Sequence, residues 1–131
     1  MKTKKGYVAC FRCFSKTLTV EQISEKTGLT FDVMNKIGDL RGGSPVLKYE
    51  YNICSINSSL NSDVSFDEHF KALLERLKGN EIILKNVGRA IDFQLTGIFY
   101  QTDDTTPEIY LSREVIEASA KFGAEIDIDI I

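Results

Sequence analysis

Cys10-Phe11-Arg12-Cys13 is the first group in the chain whose spacing suggests chemistry, because a CxxC can supply two thiols to a zinc knuckle or a redox centre. Both uses need the sulfurs to converge, on a knuckle or at a helix start. Here the pair lies inside Tyr7 to Phe14, YVACFRCF, a run rich in aromatic and β-favouring residues. In a strand the odd separation sends Cys10 and Cys13 to opposite faces. The expectation is therefore two cysteines acting as small hydrophobes. No second CxxC completes four ligands, and Cys54 and His69 stand far apart. These residues imply no metal and no cofactor.

Glu125, Asp127 and Asp129 form a second group, a carboxylate row that resembles the DxD of metal-dependent glycosyltransferases. Residues two apart on a strand are separated by about 6.6 Å, too far to share a metal without bending. Two charges at that spacing repel by about 0.6 kcal/mol in water. The row needs cations, and Arg12, Lys48 and Arg89 are the candidate cross-strand partners. One reading is a solvated face that discourages edge-to-edge pairing. The other is an open charged face, made by Arg12, Lys48, Asp92, Glu125, Asp127 and Asp129, that docks a basic protein partner.

Arg41-Gly42-Gly43-Ser44 could present backbone N–H groups and a guanidinium to an anion. It matches neither the Walker pattern nor the dinucleotide fingerprint, and a mobile loop accounts for it more cheaply. His69, the only histidine, has no nucleophile and orienting group arguable around it and reads as a helix-surface residue. Asp103 and Asp104 have turn chemistry. No catalytic residues emerge.

The elements that must position these groups follow from periodicity. The clearest unit is Ser112 to Ile131: Ser112 caps a helix, Gly123 stops it, and from Ala124 the period drops to two. Ile126, Ile128 and Ile130 then face one way and the acids the other, as in a sheet covered on one side. Tyr7 to Phe14 reads as a central strand. Thr19 and Gln22 have capping-box spacing for a short helix ended by Gly28. Thr30 to Pro45 reads as a long loop, with at most a helical turn near Val33 to Ile37. Val46 to Ile56 alternates as a second strand with Leu47, Tyr49, Tyr51 and Ile53 inward. Ser65 and Glu68 have capping-box spacing ahead of an amphipathic helix with Phe66, Phe70, Leu73, Leu74 and Leu77 on one stripe, stopped by Gly79. Glu81 to Val87 fits a helix or a strand. Arg89 to Gln101 is the third main strand, with Ile91, Phe93, Leu95 and Phe99 inward and Gly97 as a bulge.

The chain has 131 residues, 43% hydrophobic and 27% charged, which suits a single globular domain, 1–131. A formal charge of −3 argues against nucleic acid and anionic membrane as partners. Met1 to Lys5 is basic, but Arg12 interrupts the apolar run behind it, so no export signal is expected. No segment reaches the roughly 20 apolar residues of a membrane helix. Three cysteines without a leader fit a reducing, cytoplasmic setting.

The order of features resembles a bacterial family, the domain of unknown function numbered 4279 (DUF4279). The likeness lies in the opening strand, the helix ending in Thr27-Gly28-Leu29, the loop element Lys36-Ile37-Gly38-Asp39, the middle helix Ser65 to Leu77 and the closing Gly123-Ala124-Glu125-Ile126-Asp127-Ile128-Asp129. It spans nearly the whole chain. The chain departs from the family pattern by inserting Ile37 between Lys36 and Gly38, and by carrying Tyr49 and Tyr51 where relatives usually have a tryptophan. The resemblance implies a fold and carries no activity or catalytic residues with it.

The expected fold is α+β: a four-stranded, mostly antiparallel sheet with helices on one face, in a ferredoxin-like arrangement with a helical insertion between its two halves. A mixed sheet is the alternative if Glu81 to Val87 does not reverse the chain. The expected function is a non-catalytic protein-interaction module, regulatory or immunity-like, using the acidic face and the Thr30 to Pro45 loop. The competing expectation is a small-ligand binder or hydrolase with a pocket between the Arg41 loop and the sheet. A homodimer through an exposed edge strand is compatible with either.

Overall fold

In the computed structural model, residues 6–101 and 106–131 are described. The expected Asp103-Asp104 turn and the basic start, Met1 to Lys5, lie outside them.

The strand β1, Gly6–Ser15, runs through the middle of the molecule. It sends Ala9, Phe11 and Cys13 into the core and leaves Val8, Cys10, Arg12 and Phe14 on the other face, partly exposed. Helix α1, Val20–Thr27, follows with the expected capping box: Thr19 Oγ1 accepts from Gln22 N–H and Gln22 Oε1 accepts from Thr19 N–H. Gly28 ends it in the left-handed conformation at φ 69°. The strands β2, Val33–Asn35, and β3, Asn52–Asn57, come next. Helix α2, Phe66–Leu77, is capped by Ser65, whose hydroxyl accepts from Glu68 N–H. Helix α3, Glu81–Lys85, and a 3-10 turn, Gly88–Ala90, lead into β4, Asp92–Tyr100. Helix α4, Arg113–Phe122, and β5, Ala124–Ile130, close the chain as the alternation predicts, with Ser112 and Gly123 as the two caps.

The sheet has five strands in the order β2-β3-β1-β4-β5. The β1–β3, β1–β4 and β2–β3 pairs are antiparallel and β4–β5 is parallel. The four-stranded, ferredoxin-like expectation is thus replaced by a five-stranded mixed sheet. Only β4-α4-β5 is a parallel crossover between neighbouring strands, whereas α1 leads from β1 to β2, which lie on either side of β3. Glu81 to Val87 is helical at its start rather than extended.

Three local differences matter for the site. Val33 to Asn35 is an edge strand, not a helical turn; three residues are too few for a period to show. Residues 46–51 are not part of a long second strand, because they fold back on residues 38–41: Tyr49 N–H donates to Asp39 O at 2.9 Å and Arg41 N–H to Leu47 O at 2.8 Å. The register of β3 is also the reverse of that expected, with Cys54 and Ile56 in the core and Ile53 on the opposite face, opposite Phe14 of β1.

The core lies between one sheet face and the helices. Phe11, Cys13, Phe93 and Leu95 pack there with Val20 and Ile23 of α1, Phe66, Phe70, Leu73 and Leu77 of α2, and Val115 and Phe122 of α4. Gly97 is not a bulge; its register with Ala9 and Ile128 is regular. It is small because a Cβ there would sit 2.7 Å from Phe66 Cε1. The stacked Phe66 and Phe70 rings, 6.0 Å apart, occupy the space a side chain would need.

Candidate functional site

The alternation of β1, β4 and β5 places the open sheet face residue by residue. Ser55, Arg12, Gln94 and Glu125 lie in one row across β3, β1, β4 and β5, and Cys10, Thr96 and Asp127 in the next. Arg12 and Glu125 are therefore two strands apart, about 9.6 Å at the backbone, with Gln94 between. Among the described residues, none of the salt bridges involves Arg12, Glu125, Asp127 or Asp129. Lys48 and Arg89 are not cross-strand partners: Lys48 bridges Leu40 off the sheet, and Arg89 belongs to the 3-10 turn before β4. The strand boundary decided both, since the sheet begins later than the alternation at either place. Asp92 is on the open face opposite Phe14, at the far end from Asp129.

Arg12 stays half-buried among neutral side chains, and its Nε has no hydrogen-bond partner. Burial raises the Cys10 thiol above its usual range, and the Arg12 guanidinium pulls it partly back. Cys13 and Cys54 are paired directly across β1 and β3 inside the core, and burial raises both, Cys54 to about 11. All three thiols are free and protonated at neutral pH, the state of small hydrophobes rather than nucleophiles. Among the described residues, no group of three His, Cys, Asp or Glu is placed to hold a metal.

Arg41 to Ser44 forms the tip of the hairpin at residues 38–49. The Ser44 hydroxyl accepts from Val46 N–H at 3.2 Å and Leu47 N–H at 2.9 Å, and Ser44 N–H donates to Arg41 O at 3.0 Å. These N–H groups serve the turn itself. The Arg41 guanidinium lies over the Tyr49 ring, 5.6 Å from its centroid. The result is an internally bonded projection whose apolar side chains face outward: Leu40 is 54% exposed, Val46 75% and Leu47 60%. Ile37, and Val33 and Met34 of the adjoining edge strand, are exposed as well. Sequence alternation put Leu47 inward; the exposed apolar set is what that reading missed. The glycines and proline between two short pairing runs were the available signal for a hairpin.

His69 is not on the surface. It is 1% exposed, and its Nδ1 lies 2.6 Å from Ser58 Oγ while Nε2 has no partner. Burial lowers its pKa, with the nearby backbone of Asn61 and Val64 acting in the opposite sense. The pair ties the Asn57 to Val64 connection to α2, and neither cavity described below is lined by it. Asp67, the other buried ionisable group of α2, accepts from Ser112 N–H at 2.7 Å and pairs with Lys71 at 3.2 Å. It thereby fixes the start of α4 on α2.

Two adjoining hollows open on the helix side, sharing Lys121 and Phe122 in their walls. One, of about 190 Å³, lies between α2 and α4; the other, of about 250 Å³, lies between α3 and the end of α4. Neither is lined by the Arg41 loop.

The sequence profile of the family described as domain of unknown function DUF4279 matches residues 3–131. The chain belongs to the DUF4279 family. The order of features in the fold, from β1 through the capped α4 and the acidic β5, is thus that of a DUF4279 domain along nearly its whole length. Comparison with curated proteins and with solved structures gives no match. No helix of the described residues is long and apolar enough to cross a membrane.

Proposed function

We propose that this DUF4279 chain is a non-catalytic protein-interaction module, regulatory or immunity-like, whose partner is a protein. The observation that carries the reading is the hairpin at residues 38–49, which holds Leu40, Val46 and Leu47 out in water on a hydrogen-bonded frame. Exposed apolar groups on an ordered projection cost solubility and contribute nothing to the core, which is how interaction surfaces differ from ordinary surface. The acidic face of β5 is the second surface, supplying charge that steers a basic partner without contributing much affinity.

The two surfaces are tested together. The tagged chain, a Leu40→Ser/Leu47→Ser variant and an Asp127→Lys/Asp129→Lys variant are used for affinity capture from the native cell extract at low and high salt. The expected result is a stoichiometric protein held by the parent, lost by the hairpin variant, and bound more weakly by the charge-reversed variant at low salt. A parent that captures nothing stoichiometric, or a hairpin variant that captures the same protein equally well, sinks the reading.

A further inference from the structure

The cysteines that neighbour one another in sequence are not the ones the sheet puts together. Cys10 and Cys13 lie on opposite faces of β1, whereas Cys13 stands directly opposite Cys54 of β3 in the antiparallel register. Cys13 and Cys54 are both free and both 0% exposed, on the core face of the sheet. Cys54 adds to burial in raising the Cys13 thiol above its usual range, as a neighbouring sulfur does. Cys10 has no such partner: it faces the open side, opposite Thr96 and beside Arg12.

The register sets the distance between the two. Ser58 N–H donates to Ala9 O at 3.0 Å, so the pair four residues further along, Cys13 and Cys54, is also of the hydrogen-bonded kind. Its Cα atoms are about 5.5 Å apart, within the roughly 4.4–6.8 Å that a disulfide spans. Direct partners have Cβ atoms about 4.5–5.5 Å apart, against roughly 3.5–4.5 Å in a relaxed bridge. A link here draws the strands together and is of the strained, readily reduced type. Helix α1 lies over the pair, where Cys54 Sγ donates to Val20 O at 3.8 Å. A reagent therefore reaches the thiols while the chain folds, or when this 8-residue helix lifts from the sheet.

We propose that Cys13 and Cys54 are a redox modification site, which a low-molecular-weight disulfide converts to a cross-strand disulfide clasping β1 to β3 and which thiol reductants restore. One cysteine thiolate attacks a sulfur of the reagent, forming a mixed disulfide and releasing one reagent thiolate; the other attacks the protein sulfur of that mixed disulfide and releases the second. The two cysteines lose two electrons and two protons, and the protons end on the two reagent thiols. The link closes α1, β2 and the hairpin, which lie between the two cysteines, into one covalent loop. It does not rest on the partner-binding reading, which involves no cysteine.

The reduced chain, unfolded in urea, is refolded by dilution into oxidised glutathione, alkylated with iodoacetamide and mapped by mass spectrometry. Loop-closure entropy alone favours joining Cys10 to Cys13 over joining Cys13 to Cys54, so the map separates native geometry from chance pairing. The expected product carries a Cys13–Cys54 link with Cys10 outside it and melts cooperatively, as the reduced chain does. Dithiothreitol returns all three thiols. Cys10→Ser, on the open face, forms the same link. A Cys10–Cys13 link, glutathione retained on Cys13 or Cys54, or a pair that stays reduced overturns the proposal. So does a Cys13–Cys54 product without a cooperative transition, since that link would require a sheet other than this one.

Discussion

Gly97 and His69 show how single positions are constrained by what reaches them. At Gly97 the nearest groups are the rings of Phe66 and Phe70, so Gly97→Ala places a methyl at 2.7 Å from Phe66. The core must shift, and urea unfolding is expected to show a loss of about 1–3 kcal/mol. His69 makes a pH prediction. Its pKa is lowered from 6.5 by burial, so the unfolded chain binds the proton more readily than the folded one. Its contribution is fully present above the unfolded value and declines as the pH falls below it. Urea midpoints compared at about pH 7.5 and about pH 5.5 should fall at the lower pH, and His69→Gln should remove part of that fall. An unchanged pH slope in the variant would mean that the imidazole is not held neutral.

At the scale of elements, α4 and β5 are the most self-contained part of the chain. Ser112 both caps α4, accepting from Val115 N–H at 3.3 Å, and donates its own N–H to Asp67. Ser112→Ala removes the cap and keeps the backbone N–H bond to Asp67, so the expected cost is about 1 kcal/mol, within the range of N-cap replacements. Among the described residues, strand β5 is an edge of the sheet, and its acids face the open surface. Two such edges brought together would oppose carboxylates across a pair. Neutralising the row, Glu125→Gln/Asp127→Asn/Asp129→Asn, is expected to raise the mass measured by light scattering as concentration increases. If the mass stays that of the parent, the acids do not protect the edge.

For the molecule as a whole, core and projection are separate. The apolar core is built from β1, β3, β4 and the helices, with Phe31 and Leu29 at its border, and no residue of the hairpin from 38 to 49 is part of it. Replacing residues 41–47 by a two-residue turn should therefore leave cooperative unfolding intact and move the melting temperature by only a few degrees, because shortening a surface loop changes closure entropy by well under about 1 kcal/mol. A collapse of the melting transition would show that the hairpin is structural and would remove the physical basis for assigning it to a partner.

Sequence alone determined the elements whose signals are local. The Thr19–Gln22 capping box, the Ser65 and Ser112 caps, the Gly28 and Gly123 stops, the α2 stripe and the β5 alternation each lie within a few residues, and each is formed as its spacing requires. The opposite faces of Cys10 and Cys13 followed from strand geometry in the same way. Tertiary structure decided what depends on distant partners. The sheet order and the parallel β4–β5 pair come from which strands meet, which no local period encodes. Leu47 and Tyr49 alternate like a strand and do pair, but with residues 38–41 rather than with the sheet, so the same pattern ends in water instead of the core. His69 looked exposed because a helix face is judged from its own residues; it is buried because the Asn57 to Val64 connection crosses that face and Ser58 bonds it. Lys85 and Lys121 lie on α3 and α4, and only the packing of these helices brings them to the lining of one hollow.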